Sequence, residues 1–387
     1  MPLPWTRPKA TDRDAVVAGC NAFALDLYDR LRAGEGNLFL SPASIATALA
    51  MTYAGARGET AAEMERTLHL TTGPERLHRA MKELLEELNA GGKAGGYRLA
   101  VANALWLGDL LPVHEEFVTL IEEHYGAGLH AVDFQNAAEE ARKRINAWVE
   151  GQTEGKIRDL IAPGMLTPLT VLVLTNAIYF KGDWLAKFEK RQTRDEPFHV
   201  AAGRDVPVPL MRRTGEYEYH DAGSFQALRL AYRGDLSMVV LLPKKVGGLL
   251  ALEESLTPKR LASCLDALRR REVIVLLPRF QVEARFGLND ALAAMGMSQA
   301  FDRLRADFSG MVGPPGASID AVVHQAFVAV DEKGTEAAAA TAVVMVARSM
   351  ATPGPQPPVF RADHPFLFLI RDDRTGLILF LGRVVDP

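Results

Sequence analysis

Two rhythms of apolar and polar positions divide the chain. In its first half apolar side chains recur every three or four residues, the spacing of a helix with one buried face. Phe23, Leu27 and Leu31 stand four apart and predict a helix over 15–31, closed by Gly34 and Gly36. Ser41-Pro42 then offers a capping hydroxyl and a first-turn proline to a helix running to about Ala54, with Gly55 and Gly58 beyond it. The same spacing returns at 59–68, 75–89, 114–124 and 136–150, the last turning Ile145, Trp148 and Val149 inward. Leu38-Phe39-Leu40 is a short strand within this helical half. After residue 165 the rhythm shortens. Val171-Leu172-Val173-Leu174 and Ala177-Ile178-Tyr179-Phe180 make a nearly continuous apolar run, as a strand buried on both faces requires. Further strands are expected at 205–211, 226–232, 236–243, 273–284, 322–331, 365–371 and 377–385. Helices first and strands second define an α+β protein rather than alternating β-α-β units.

Composition narrows the functions open to such a fold. No repeat and no long linker interrupts the 387 residues, and a single domain over 1–387 is expected. With 48% hydrophobic and 24% charged residues the chain can bury a sizeable core, so disorder is excluded. A formal net charge of −4 argues against a nucleic-acid partner, which needs a concentrated basic surface. Arg269-Arg270-Arg271 and Arg142-Lys143-Arg144 have acidic neighbours and read as solvated faces. Cys20 and Cys264 are too few for a disulfide framework or a cysteine zinc site, and the nine histidines lack ligand spacing, so no metal is expected. Without a Gly-x-Ser-x-Gly elbow, a His-Glu-x-x-His helix, a P-loop or a dinucleotide fingerprint, neither catalytic residues nor a cofactor are expected. No apolar run of membrane-spanning length occurs, and residues 1–14 lack the apolar core of a signal peptide. No membrane partner is expected; the chain as written would be cytoplasmic, or secreted if a leader has been removed.

The most unusual chemistry lies at 331–349. Four alanines follow Glu336, and by propensity alone they favour a helix. Small side chains also suit a peptide that must slide between two strands, with Gly334 supplying backbone freedom at its base. Period-two alternation tests this. If Glu336 faces solvent, then Thr335, Ala337, Ala339, Thr341, Val343 and Met345 share the opposite face, which carries no charge. Thr341, Val343, Val344 and Val346 are β-branched and favour a strand. Residues 335–347 can therefore be a loop or a strand roughly 43 Å long at about 3.3 Å per residue.

Glu332-Lys333-Gly334-Thr335-Glu336-Ala337-Ala338-Ala339, extended by Ala340, resembles the hinge of the reactive-centre loop in inhibitory serpins. Further matches follow in family order: Asn37 to Ile45, Asn103-Ala104-Leu105-Trp106, Ile145 to Val149, Thr153 to Ile157, Thr175 to Trp184, Leu277-Pro278-Arg279-Phe280, Phe308-Ser309-Gly310, Asp363 to Phe368 and Gly382 to Pro387. The resemblance implies eight or nine helices around three sheets, with a reactive loop over about 332–358. The family's scissile bond follows the sixteenth residue after the hinge glutamate; counted from Glu332 that residue is Arg348, and the bond is Arg348-Ser349. Arginine there suits a trypsin-like serine protease, whose specificity pocket carries a carboxylate. The implied function is suicide inhibition: the protease is acylated on Arg348, residues 335–347 enter the main sheet, and a covalent complex is trapped. By the same resemblance Ser41, Ser44, Asn176 and His324 form the shutter beneath that sheet, Trp184 belongs to the breach above it, and Arg279 pairs with Glu332. A monomer is expected. The alternative is a non-inhibitory serpin acting as carrier, storage protein or chaperone, but such relatives commonly carry bulky or charged hinge residues.

Two features depart from the pattern. The stretch from Arg348 to Pro365 is longer than is typical, with Pro353, Pro355, Pro357 and Pro358 suggesting an extended tether. A slip of the cleaved bond would bring in Ser349 and Met350. Arg76, Arg79 and Lys82 fall where some relatives bind glycosaminoglycans, but Glu75, Glu83, Glu86 and Glu87 offset them, and no glycosaminoglycan partner is expected.

Overall fold

The computed structural model describes residues 11–93, 95–126, 128–201, 203–335 and 356–387. Among them are nine α-helices, six lying in the first half of the chain. The first, Asp12–Leu31, is started by a reciprocal cap between Thr11 and Asp14. The second, Pro42–Tyr53, begins with Ser41 accepting the Ser44 N–H and Pro42 in the first turn. The long strand Arg204–Asp221 joins two of the expected three sheets, pairing with Arg194–Ala201 and Arg269–Pro278 and, through Glu218 to Asp221, with Phe225–Ala231. Hydrogen bonding thus connects the strands as one nine-stranded and one six-stranded sheet.

The six-stranded sheet positions the candidate site. Its order is Phe280–Gly287, Ile319–Val330, Gly334–Thr335, Leu172–Asp183, Tyr97–Gly108 and Gly128–Val132. Leu172–Asp183, hereafter the Asn176 strand, is the continuous apolar run of the sequence, and it is buried on both faces. Leu174, Ile178 and Phe180 face the main core, while Val173 and Ala177 face a second core under the helix Phe134–Gln152 with Ile145 and Val149. The Asn176 strand and Ile319–Val330, the His324 strand, pair directly and in parallel from Leu172 opposite Ile319 to Tyr179 opposite Phe327. Above that point they separate, and Gly334–Thr335 lies between them, antiparallel to both.

Two expectations are corrected. The single strand expected at 273–284 is two strands in different sheets, Arg269–Pro278 and Phe280–Gly287. Pro278 has no N–H to give a ladder, the Arg279 N–H makes the last bond to the Arg204–Asp221 strand, at the Pro209 carbonyl (2.9 Å), and from Phe280 the chain pairs with Ile319–Val330 in the other sheet. Tyr97–Gly108, Gly128–Val132, Arg194–Ala201 and Val359–Arg361 are strands that the periodicity did not single out. In Tyr97–Gly108 the alanines at 100, 102 and 104 carry little β preference, and pairing with the Asn176 strand decides the conformation.

Candidate functional site

The upper end of the sheet is built around a tight turn. The Asp331 N–H donates to the Gly334 carbonyl at 2.8 Å, and Asp331 Oδ1 accepts the N–H groups of Lys333 (2.8 Å) and Gly334 (3.2 Å). This reversal sends Thr335 back between the separating strands, opposite both Val330 and Gly182. Gly334 has φ 154°, and a Cβ there would stand 2.0 Å from the Gly182 carbonyl oxygen, so glycine is required by conformation and by space. Thr335 is fully buried, its hydroxyl 2.8 Å from the Tyr232 hydroxyl. The Tyr232 ring stacks on Trp184 at 4.3 Å. Trp184 in turn donates its indole N–H to the Asp331 carbonyl (2.9 Å) and its backbone N–H to the Lys333 carbonyl (2.8 Å).

Glu332 projects from the same turn and is 1% exposed. Arg279 Nε donates to both carboxylate oxygens at 2.9 Å, its Nη2 reaches Oε1 as well, and the Thr193 hydroxyl donates to Oε1 at 2.6 Å. Burial by itself raises the carboxyl pKa, but the hydrogen bonds from Arg279 and Thr193 outweigh it and hold Glu332 below the usual carboxylate value.

Lower in the sheet a polar row crosses three strands. Asn103, Asn176 and His324 are neighbours in register. Asn176 Nδ2 donates to Asn103 Oδ1 and, at 2.7 Å, to the Ser44 hydroxyl, while Ser44 Oγ donates to Asn103 Oδ1 at 3.1 Å. The Ser41 N–H donates to His324 Nε2 at 3.1 Å, which makes Nε2 the acceptor and leaves Nδ1–H to donate to Asn176 Oδ1. Ser41 Oγ closes the group by donating to the Leu379 carbonyl at 2.7 Å. Burial pushes the His324 imidazole down to about 3, with only partial opposition from its hydrogen bond to Asn176, so the ring is neutral.

The structure therefore brings Ser41, Ser44, Asn176 and His324 into one group, and Trp184, Arg279, Glu332, Gly334 and Thr335 into another. Glu336, Ala337, Ala338, Ala339, Ala340, Arg348 and Ser349 lie outside the described residues. Sequence reasoning missed Asn103, Tyr232 and Thr193 as members. Asn103 was visible as a lone amide among apolar neighbours; Tyr232 ends an expected strand but, like Thr193, comes from a distant segment with nothing to mark it for this site. Arg76 is paired with Asp12 at 3.1 Å, and Lys82 lies 3.9 Å from Glu123.

The chain that carries this site matches known proteins over nearly its whole length. The chain belongs to the serpin family: the profile described as Serpin (serine protease inhibitor) matches residues 18–387. It is 43% identical over 376 residues to the leukocyte elastase inhibitor of Homo sapiens, covering 94% of this chain and 97% of that protein. An uncharacterized serpin-like protein of Thermococcus kodakarensis is 43% identical over 373 residues, 96% of this chain and 86% of that one. The crystal structure of Serpin48 from Tenebrio molitor superimposes with a TM-score of 0.87 at 35% identity, covering 96% of this chain and 98% of that chain.

Neutral His324 has a consequence for pH. An unfolded chain protonates the same ring near pH 6.5, so below that value the unfolded state holds the extra proton, and stability complete above pH 6.5 is lost as the pH falls towards about 3. Relative to His324→Gln, the wild type is expected to lose on the order of 1 kcal/mol per pH unit below about pH 6.5, read from urea midpoints. Parallel pH curves for the two proteins would show that the ring is not held neutral. Separately, Gly334→Ala is expected to displace the turn and lower the unfolding free energy of the intact protein by roughly 1–3 kcal/mol. An unchanged melting curve would mean that the turn is not confined as described.

Proposed function

We propose that this serpin inhibits a trypsin-like serine protease as a suicide substrate, with Arg348-Ser349 as the cleaved bond and residues 335–347 as the inserting strand. One observation carries this reading: Thr335 already occupies the gap between the Asn176 and His324 strands, paired with Gly182 on one side and Val330 on the other. Thr335 would thus be the first residue of the inserting strand, seated where the two flanking strands have already parted. The similarity to the leukocyte elastase inhibitor supports protease inhibition; the choice of a trypsin-like target rests on the arginine alone.

Register gives the reading detail. Stepping down both flanking strands from Thr335 brings residue 341 opposite Asn176 and also opposite His324, because the two counts agree. Insertion would then replace the His324–Asn176 bond by contacts to the Thr341 hydroxyl, keeping both polar groups partnered in the buried sheet. The face begun by Thr335 continues through Ala337, Ala339, Thr341, Val343 and Met345. Attack by the protease serine on the Arg348 carbonyl forms the acyl-enzyme and releases the amine of Ser349. Freed at that end, the loop inserts and carries the ester away from the upper pole before water resolves it.

Incubation with trypsin is expected to give an SDS-stable covalent complex and a released C-terminal fragment whose mass places its first residue at Ser349. Turnover without complex would reject inhibition, and a different fragment mass would reject the assigned bond. Arg348→Ala should abolish reaction with trypsin. Ala337→Arg would bury a charge on the inward face and is expected to turn inhibitor into substrate, shifting the products from complex to cleaved protein; undiminished complex from that variant would count against insertion.

A further inference from the structure

The lower end of the parallel strand pair is fastened by a side chain rather than by main chain. The ladder between the His324 and Asn176 strands shifts register between Ile319 and Ala321, so that Asp320 is left out of it. Its carboxylate reaches across to the neighbouring strand instead. Oδ2 accepts the N–H of Val171 at 2.5 Å and that of Leu172 at 3.2 Å, while Oδ1 accepts from Arg303 Nη2 at 2.6 Å. Arg303 also donates to the Leu169 carbonyl at 2.9 Å, and Asn289 Nδ2 holds the Asp320 carbonyl at 2.8 Å. The Asp320 side chain is mostly enclosed, at 16% exposure.

Counting down from Thr335 opposite Val330 brings Met345 opposite Asp320; counting down from Thr335 opposite Gly182 brings Met345 opposite Leu172. Both counts meet where the Asp320 carboxylate spans the two strands. Residues 335–344 can enter above this bridge, but 345–347 cannot pass without parting Asp320 from Val171 and Leu172. Successive N–H groups of a strand point to opposite sides, and the Val171 carbonyl already accepts from Gly108, so an arriving strand would offer a backbone carbonyl to the Leu172 N–H, and the bridge has a partner to yield to at that position.

We infer that Asp320, held by Arg303, is the lower lock of the sheet, a positioning residue that opposes the last step of strand insertion. The inference rests on the insertion proposed above and adds a barrier at a defined depth. The lock stabilises the uninserted form alone, because full insertion breaks it.

The test uses the intact chain and two synthetic peptides, one with the sequence of residues 335–342, which ends above the lock, and one with that of 335–347, which runs through it. Asp320→Asn keeps the shape but removes the charge. It is expected to speed uptake of the longer peptide about tenfold, the size of one charge-assisted hydrogen bond, and to leave the shorter one unchanged. The same variant should lower the melting temperature of the intact protein but not of the cleaved protein, and Arg303→Ala should act in the same direction more weakly. If the wild type inserts yet Asp320→Asn affects both peptides equally, or lowers the intact and cleaved melting temperatures alike, Asp320 is a structural anchor and the lock is refuted. If the wild type takes up neither peptide and gains no stability on cleavage, insertion itself is refuted and the lock falls with it.

Discussion

The parallel contact between the Asn176 and His324 strands is the constraint on which the rest of this molecule depends. Parallel pairing is slightly weaker per residue than antiparallel pairing, and it normally sits within sheets covered on both faces, as here. A strand arriving between the two runs opposite to both, so one parallel ladder is exchanged for two antiparallel ones. Each added backbone hydrogen bond is worth roughly 0.5–1.5 kcal/mol net, against a backbone ordering cost of roughly 1–2 kcal/mol per residue. In the proposed insertion the exchange would therefore need an inward face that also buries apolar surface, which the sequence alternation from Thr335 to Met345 would supply.

A weak ladder flanked by a better alternative must be held by barriers, and its polar contacts are placed accordingly. At the top, Glu332 binds the root of the loop to Arg279 and Thr193, while Trp184 and Tyr232 hold the turn and Thr335. In the middle, His324 and Asn176 join the two strands by side chains as well as by register. At the bottom, Asp320 does so again. Directional bonds in an enclosed apolar sheet are costly to leave unmade, so each contact opposes separation until a replacement partner arrives. Such an arrangement secures the uninserted form kinetically, in keeping with the proposed mechanism.

How much of this was legible in the sequence follows from where each signal resides. The Asn176 strand was plain because burial on both faces leaves an apolar run with no alternation to misread. Ser41-Pro42 was plain because capping is local chemistry. Tyr97–Gly108 was hidden, since its alanines have little strand preference and only the neighbouring strand fixes their conformation. The break at Arg279 was hidden for a related reason: Pro278 marks it, but proline at a strand end and proline between two strands of different sheets look the same in one dimension. Tyr232 ends a segment that the periodicity marked as a strand, but nothing in the sequence marked it or Asp320 for these roles. Their roles exist only through pairing with Thr335 and Val171, which lie far away in the chain.

Side-chain size at the point where the strands part completes the physical logic. Gly182 and Gly334 approach so closely that a Cβ on either meets an occupied position: Phe180 and Tyr232 for the first, the Gly182 backbone for the second. Thr335 then fits only because its hydroxyl finds the Tyr232 hydroxyl within the core. A larger residue at any of these positions would push the loop root out of the sheet, and insertion would have to begin from two closed strands instead of an opened pair. Opening such a pair means breaking the first ladder bonds with nothing to replace them. In the proposed insertion, with Thr335 already seated, each bond broken ahead of the strand would be replaced by one formed behind it, and the barrier would be reduced to the side-chain contacts that cross the gap at His324 and Asp320.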